Sequence, residues 1–190
     1  MPIFYLYIEN ENNKLYNYKR IGEYMKNDVI EAVIEIPYRS RNKFEIKDGK
    51  VKLDRVLYSA MGYPAEYGFI DKTLANDGDP LDILVIGTEP TYPGCIIPAR
   101  VIGVLKIIDN GFEDYKIISV VDVDPRYDEI KELNDLSKFI LDEIRNFFEN
   151  YKVLQKINVQ VEKYYPKNKA LKIIEQSKKN YLNTINERND

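Results

Sequence analysis

Asp77, Asp79 and Asp82 put three carboxylates within the hexapeptide Asp77-Gly78-Asp79-Pro80-Leu81-Asp82, directly ahead of the apolar run Ile83-Leu84-Val85-Ile86. Such a run reads as a buried strand, and it anchors one end of the acidic turn. Pro80 stiffens the turn and removes a backbone N–H that could have satisfied a carboxylate. Two unit charges ~4 Å apart near a protein surface repel by about 4 kcal/mol. Carboxylates that converge therefore need a cation or a raised pKa. The plainer alternative is that Asp and Gly favour turns for conformational reasons alone. A calcium loop of the EF-hand pattern fits poorly. Counting from Asp77, the sixth position is Asp82 instead of Gly, and the twelfth is Thr88 instead of Glu. The chain has no Gly-x-x-x-x-Gly-Lys-Ser/Thr loop for nucleotide phosphates.

The 190 residues include no histidine and a single cysteine, Cys95. This removes imidazole proton shuttles, Ser-His and Cys-His nucleophile pairs, and the usual zinc sites. Chemistry must then come from carboxylates, Lys, Arg, Tyr and bound cations, and hard oxygen ligands select magnesium, calcium or manganese. A net charge of −3 argues against a general nucleic-acid binder, yet allows a local basic cluster for a small anion. No apolar run approaches the roughly 20 residues of a membrane helix. The N-terminal Ile3–Ile8 stretch lacks a basic start and runs into Glu9-Asn10-Glu11, unlike a signal peptide. A cytoplasmic location is the expectation, and one cysteine suits a reducing compartment.

The elements that must position these groups follow from patterning. Residues 1–24 show no clear period and read as an edge strand plus loop, an N-terminal extension of unclear role. Val29 to Ile36 is strand-like and stops at Pro37. Lys43–Ile46 and Val51–Val56 form a hairpin around Asp48-Gly49. Tyr67–Ile70 is a short strand, Pro90–Pro98 a loop, and Val101–Ile108 and Tyr115–Val123 are strands separated by Asp109-Asn110-Gly111. Apolar residues at Leu136, Phe139, Ile140, Ile144, Phe147 and Phe148 predict a helix from about Asn134 to Asn150, capped by Asn134 or Asp135. A second helix is predicted from about Lys169 to Ile185. Short strands followed by two helices suggest an α+β domain, a small β-barrel flanked by helices, over 1–190. Asp122-Val123-Asp124-Pro125 imitates the acidic turn but lacks its Gly, and reads as a strand exit with no metal role.

The acidic hexapeptide resembles the signature of family I soluble inorganic pyrophosphatases, and Ile83-Leu84-Val85 continues it. Further segments resemble the family in order. They are Ile34-Glu35-Ile36-Pro37, Lys43-Phe44-Glu45-Ile46, Asp54-Arg55, and Tyr63-Pro64-Ala65-Glu66-Tyr67-Gly68. Lys106 to Lys116, with Asp109 and Asp114, and Phe147 to Lys152, with Tyr151, complete the set. The fold the resemblance implies is a five-stranded, OB-like β-barrel with flanking α-helices.

That resemblance also implies roles. Asp77, Asp82, Asp109 and Asp114, with Glu35 and Glu45, would bind several Mg2+ ions per subunit, Asp82 bridging two of them. Asp79 would be the general base for a metal-activated water, positioned by Tyr67. Lys43, Arg55, Lys116, Tyr151 and Lys152 would hold the two phosphoryl groups of pyrophosphate, with Arg55 acting catalytically as well. The expected assembly is a homo-oligomer of the short prokaryotic type, often hexameric, with no nucleic-acid or membrane partner. Some bacterial members carry histidines where this chain has Asn146 and Asn150. Two readings from other classes compete: an OB-like barrel binding single-stranded nucleic acid through its 16 tyrosines, and a non-catalytic calcium-binding module.

Overall fold

The computed structural model describes residues 28–187, so the reading of residues 1–24 lies outside the described residues. The strands are β1 (Val29–Ile36), β2 (Asn42–Lys47), β3 (Lys50–Val56), β4 (Glu66–Ile70), β5 (Asp82–Ile86), β6 (Ile96–Asp109), β7 (Phe112–Val121) and β8 (Val159–Pro166). The helices are α1 (Lys138–Asn150) and α2 (Lys167–Glu187). Both hairpin turns use residues that tolerate positive φ: Asp48 (53°) with Gly49 (69°), and Asn110 (51°) with Gly111 (86°). Two such residues in a row are what a twist-matched two-residue turn needs.

The main sheet runs β1-β4-β5-β7-β6-β8, and β1 also pairs with β6. Five strands therefore close into a ring, as expected for a five-stranded barrel, while β8 extends the sheet from β6. The long β6 makes this possible. Its first half pairs with β1 (Val29 opposite Arg100) and its second half with β8 (Asp109 opposite Val159). The ring pairs antiparallel except at β5–β7, which are parallel.

Alternation sorts the apolar side chains into two clusters. Ala32, Ile34, Ile70, Ile83, Val85, Ile97, Ala99, Val101 and Ile117 come from all five ring strands and fill its interior, closed off by Ala170 and Ile174 of α2. The opposite face carries Leu84, Leu105, Ile107 and Ile118, packed against Ile144, Phe147 and Phe148 of α1. A bulge at Glu35 reverses the strand, sending Ile34 to the first cluster and Ile36 to the second.

Three expectations need correction. The helix expected from Asn134 begins at Lys138, after a separate 3-10 turn, Leu133–Asp135. Leu136 is extended, and Asp135 serves the 3-10 turn by accepting from the backbone N–H of Lys131 and Glu132. The loop expected to reach Pro98 ends sooner, because β6 starts at Ile96; Pro98 lacks an N–H, but its carbonyl accepts from Asp122 N at 2.9 Å. Strand β8 was not foreseen. The segment Asp122–Asp128 does end a strand. Asp122 pairs with the buried Arg100, which also donates to the carbonyls of Ile130 and Tyr127, and Asp124 caps the turn Pro125–Tyr127.

Gly68 lies opposite Ile34 in the β1–β4 pair, where a Cβ would come 1.9 Å from the Val33 carbonyl oxygen. Gly49 faces open space. Gly68→Ala is expected to destabilise the chain by roughly 3 kcal/mol or more, against about 1 kcal/mol for Gly49→Ala. Urea unfolding midpoints check this, and equal midpoints for the two variants would contradict the close approach.

Candidate active site

Parallel pairing of β5 with β7 places Ile83 opposite Ile117, so Asp82 and Lys116 are neighbours one residue earlier. Asp114, two residues before Lys116, shares its face. Lys116 is only 4% exposed, and its ammonium pairs with Asp82 Oδ2 and, at 2.6 Å, with Asp114 Oδ2. Burial would lower this ammonium's pKa, but the charges of Asp82 and Asp114 outweigh it and hold Lys116 far above its ordinary value. Asp114 shifts the opposite way from a normal ion-paired acid. Burial raises its carboxyl, Lys116 opposes, and the nearby charges of Asp82 and Asp77 raise it again.

The same face continues onto β6 and the end of α1. Ile107 lies opposite Asp114, so Asp109, two residues on, also looks this way. Asp109 Oδ2 pairs with Lys152 Nζ, while Asp109 Oδ1 is buried with no hydrogen-bond partner among the described residues. Tyr151 ends α1 and stacks on Phe147 at 5.0 Å, and Phe147 packs against Tyr63, which packs against Tyr67. This aromatic wall is rigid and apolar. Burial drives the hydroxyls of Tyr63, Tyr67 and Tyr151 far above the normal tyrosine value, so they stay protonated donors. Lys116 also lies 5.7 Å from the Tyr67 ring centre and Lys152 lies 5.3 Å from that of Tyr151.

The β2–β3 hairpin supplies the remaining groups. Lys43 and Arg55 are cross-strand partners. The register slips beside them, and Asp54 uses the irregularity to reach both, Lys43 at 3.5 Å and Arg55 at 3.1 Å. Glu45 holds Lys47 at 2.6 Å and approaches Lys43 at 3.9 Å. Glu35 ties the hairpin to the ring: its Oε1 accepts from Ile46 N at 3.1 Å. Burial raises the Glu35 carboxyl, that hydrogen bond opposes the shift, and the charge of Asp82 adds to it, so the hairpin and β5 share one field.

Asp77 and Asp79 stay exposed at the tip of the acidic turn, where Asp77 Oδ1 accepts from Asp79 N at 3.1 Å. Asp79 acts on Lys47 across the gap to the hairpin, while Asp77 acts on Asp114. Among the described residues no hydrogen bond joins Tyr67 to Asp79; the acids whose charges reach Tyr67 are Asp82 and Asp114. Thus every sequence-expected site residue falls in one connected field. Sequence reasoning passed over Asp54 and Lys47 as participants. An acid or lysine on a solvated hairpin carries no local mark of its cross-strand partners.

No group of three acids is drawn close enough to hold a metal unaided among the described residues. Lys116 lies between two of them instead. The donor set nevertheless fits a hard divalent cation: it is all oxygen, it is over-supplied with negative charge, and it includes the unpartnered Asp109 Oδ1.

Comparison with known proteins agrees with this geometry. The family model described as Inorganic pyrophosphatase matches residues 32–182. An inorganic pyrophosphatase of Halalkalibacterium halodurans is 53% identical over 150 residues, covering 78% of this chain and 92% of its own length. One from Synechocystis is 48% identical over 164 residues, covering 85% and 97% respectively. The solved inorganic pyrophosphatase of Helicobacter pylori superposes with a TM-score of 0.80 at 40% identity, over 83% of this chain and 95% of that one. That of Thermus thermophilus gives 0.80 at 41% identity, over 83% and 93%. With so much of its length matched in sequence and in fold, the chain belongs to the inorganic pyrophosphatase family.

Proposed function

We propose that the chain hydrolyses inorganic pyrophosphate to two orthophosphates, using Mg2+, several ions per subunit, as its divalent cofactor. One observation carries this reading: two sets of opposite charge converge on a single face. The acids are Glu35, Glu45, Asp54, Asp77, Asp79, Asp82, Asp109 and Asp114. The cations are Lys43, Lys47, Arg55, Lys116 and Lys152. Eight negative charges against five positive leave a field that repels a polyanion. That disfavours a nucleic-acid site and calls for divalent cations before a phosphate anhydride can bind. Bound cations would neutralise phosphate oxygens and bring the pKa of water from ~15.7 toward neutrality.

The protein's own groups divide the work. Asp77, Asp82, Asp109 and Asp114 would hold the cations, with Glu35 on β1 and Glu45 on the hairpin as further oxygen donors. Arg55 presents a planar fork to two phosphoryl oxygens, while Lys43, Lys116 and Lys152 act as point charges. Tyr151 and Tyr67, kept protonated by burial, donate to phosphate oxygens or to the attacking water. Asp79, exposed and without an ion pair among the described residues, accepts the proton of that water. The aromatic wall keeps bulk water from the inner side and strengthens each electrostatic contact.

We further propose a homo-oligomer, a hexamer, working in the cytoplasm; the resemblance to the short prokaryotic branch supports the assembly and the lone cysteine the compartment. No described helix is long and apolar enough to cross a membrane.

Asp79→Asn is expected to leave magnesium and pyrophosphate affinity within about threefold while turnover falls about 10²–10⁴-fold near neutral pH. Phosphate-release kinetics with parallel binding titrations check this, and wild-type turnover would remove Asp79 from the base role. Arg55→Lys keeps the charge but loses the fork. A fall in kcat/KM of about tenfold or more is expected; unchanged kinetics would contradict bidentate binding.

A further inference from the structure

We propose that Thr73, backed by Asn180 of α2, is a positioning residue that sets the metal affinity of the acidic turn. This rests on the reading of that turn as metal-binding. Among the described residues the Thr73 side chain hydrogen-bonds to Ile70 and Leu81 and to none of the acids. It is 2% exposed and lies where the turn leaves β4. In the β4–β5 ladder Phe69 pairs with Asp82, so Ile70 and Leu81 form the next rung. One bond of that rung is direct, Ile70 N to Leu81 O at 3.0 Å. The return bond is replaced. Leu81 N donates to Thr73 Oγ1 at 2.9 Å, and Thr73 Oγ1 donates to Ile70 O at 2.6 Å. A single hydroxyl is spliced into the ladder, prising it open by one atom immediately before Asp82.

A second anchor lies one residue further on. Leu74 N donates to the carbonyl of Ser177 at 2.9 Å, and Asn180 Nδ2 donates to Leu74 O at 3.3 Å. The Asn180 amide is itself held by Gln176 Nε2 at 2.9 Å. Among the described residues, the hydrogen bonds of the turn beyond these points are its own: Ala75 N to Asp79 O at 2.8 Å, Gly78 N to Ala75 O at 3.2 Å and Asp79 N to Asp77 Oδ1 at 3.1 Å. Its free end therefore inherits its placement from the base. Because Asp77 and Asp79 sit on that free end and Asp82 follows the splice, a shift at Thr73 moves all three acids relative to Asp114. Partners that orient ligands without touching the metal commonly change metal affinity by about 10–100-fold when lost.

The test is calorimetric titration of Mg2+ or Mn2+ into the full chain without pyrophosphate, with thermal unfolding run on the same samples. Thr73→Val removes the hydroxyl at nearly constant volume and is expected to weaken metal binding about tenfold or more. Thr73→Ser keeps the hydroxyl and is expected to restore affinity to within about twofold of the parent. Asp82→Asn is the control for the site itself and must also weaken binding. If Asp82→Asn weakens binding while Thr73→Val lowers only the melting temperature, Thr73 is merely structural and the inference is overturned. If Asp82→Asn is silent, the reading of the turn falls, and this inference with it. Should Thr73→Val fail to fold, Asn180→Ala removes the side-chain half of the second anchor, the bond to Leu74 O, from a half-buried position. It is expected to weaken metal binding several-fold, and parent-like affinity would overturn the proposal.

Discussion

Lys116 sits almost wholly out of water between Asp82 and Asp114, and the rest of the site is arranged around that contact. Removing three charges from water is costly, and the mutual attraction repays it only when geometry holds them together. The geometry here comes from the parallel β5–β7 pair. Residues paired across those strands, Asp82 and Lys116 among them, are 34 positions apart in sequence, and the intervening β6 carries the chain around the ring to bring them together. Two carboxylates and one ammonium leave a net charge of −1. The triad is therefore satisfied enough to fold and still negative enough to attract a cation. Removal of Lys116 would leave two half-buried carboxylates facing each other without the ammonium that pairs them.

The same logic repeats outward. Lys152 is engaged by Asp109, Arg55 by Asp54, and Lys43 by Asp54 and Glu45. Each cation that could grip a phosphoryl group is already held by an acid. Divalent ions that take over the acids would release the cations toward the substrate. On the proposed reading, metal and phosphate binding would be coupled through the ion pairs, a reciprocal dependence of one ligand on the other. The aromatic wall of Tyr63, Tyr67, Phe147 and Tyr151 adds no charge of its own, since burial keeps its hydroxyls protonated. It lowers the local dielectric, which makes every one of these exchanges count for more.

What could be read from the sequence divides along local and non-local lines. Asp48-Gly49 and Asn110-Gly111 announce their turns because positive φ is a local demand. The apolar run of β5 and the helical spacing of Ile144, Phe147 and Phe148 are local as well. The acidic hexapeptide declared itself by spacing, and the absence of histidine narrowed the chemistry. By contrast, nothing local says that Asp82 will neighbour Lys116, that a bulge at Glu35 will turn Ile36 to the opposite face, or that Asp54 will bridge Lys43 and Arg55. Strand β8 escaped notice because Gln160, Glu162 and Lys163 break up its apolar residues, leaving no apolar run to mark it. The start of α1 was misplaced because Asn134 and Asp135 have good capping chemistry that the 3-10 turn uses first.

The most direct test of this electrostatic account is a crystal structure of the chain soaked with Mn2+, located by anomalous scattering. The account predicts ion density among Asp77, Asp82 and Asp114, with the Lys116 ammonium drawn away from at least one of its two carboxylates. Strong ion density elsewhere, with Lys116 still clasped by both Asp82 and Asp114, would contradict it.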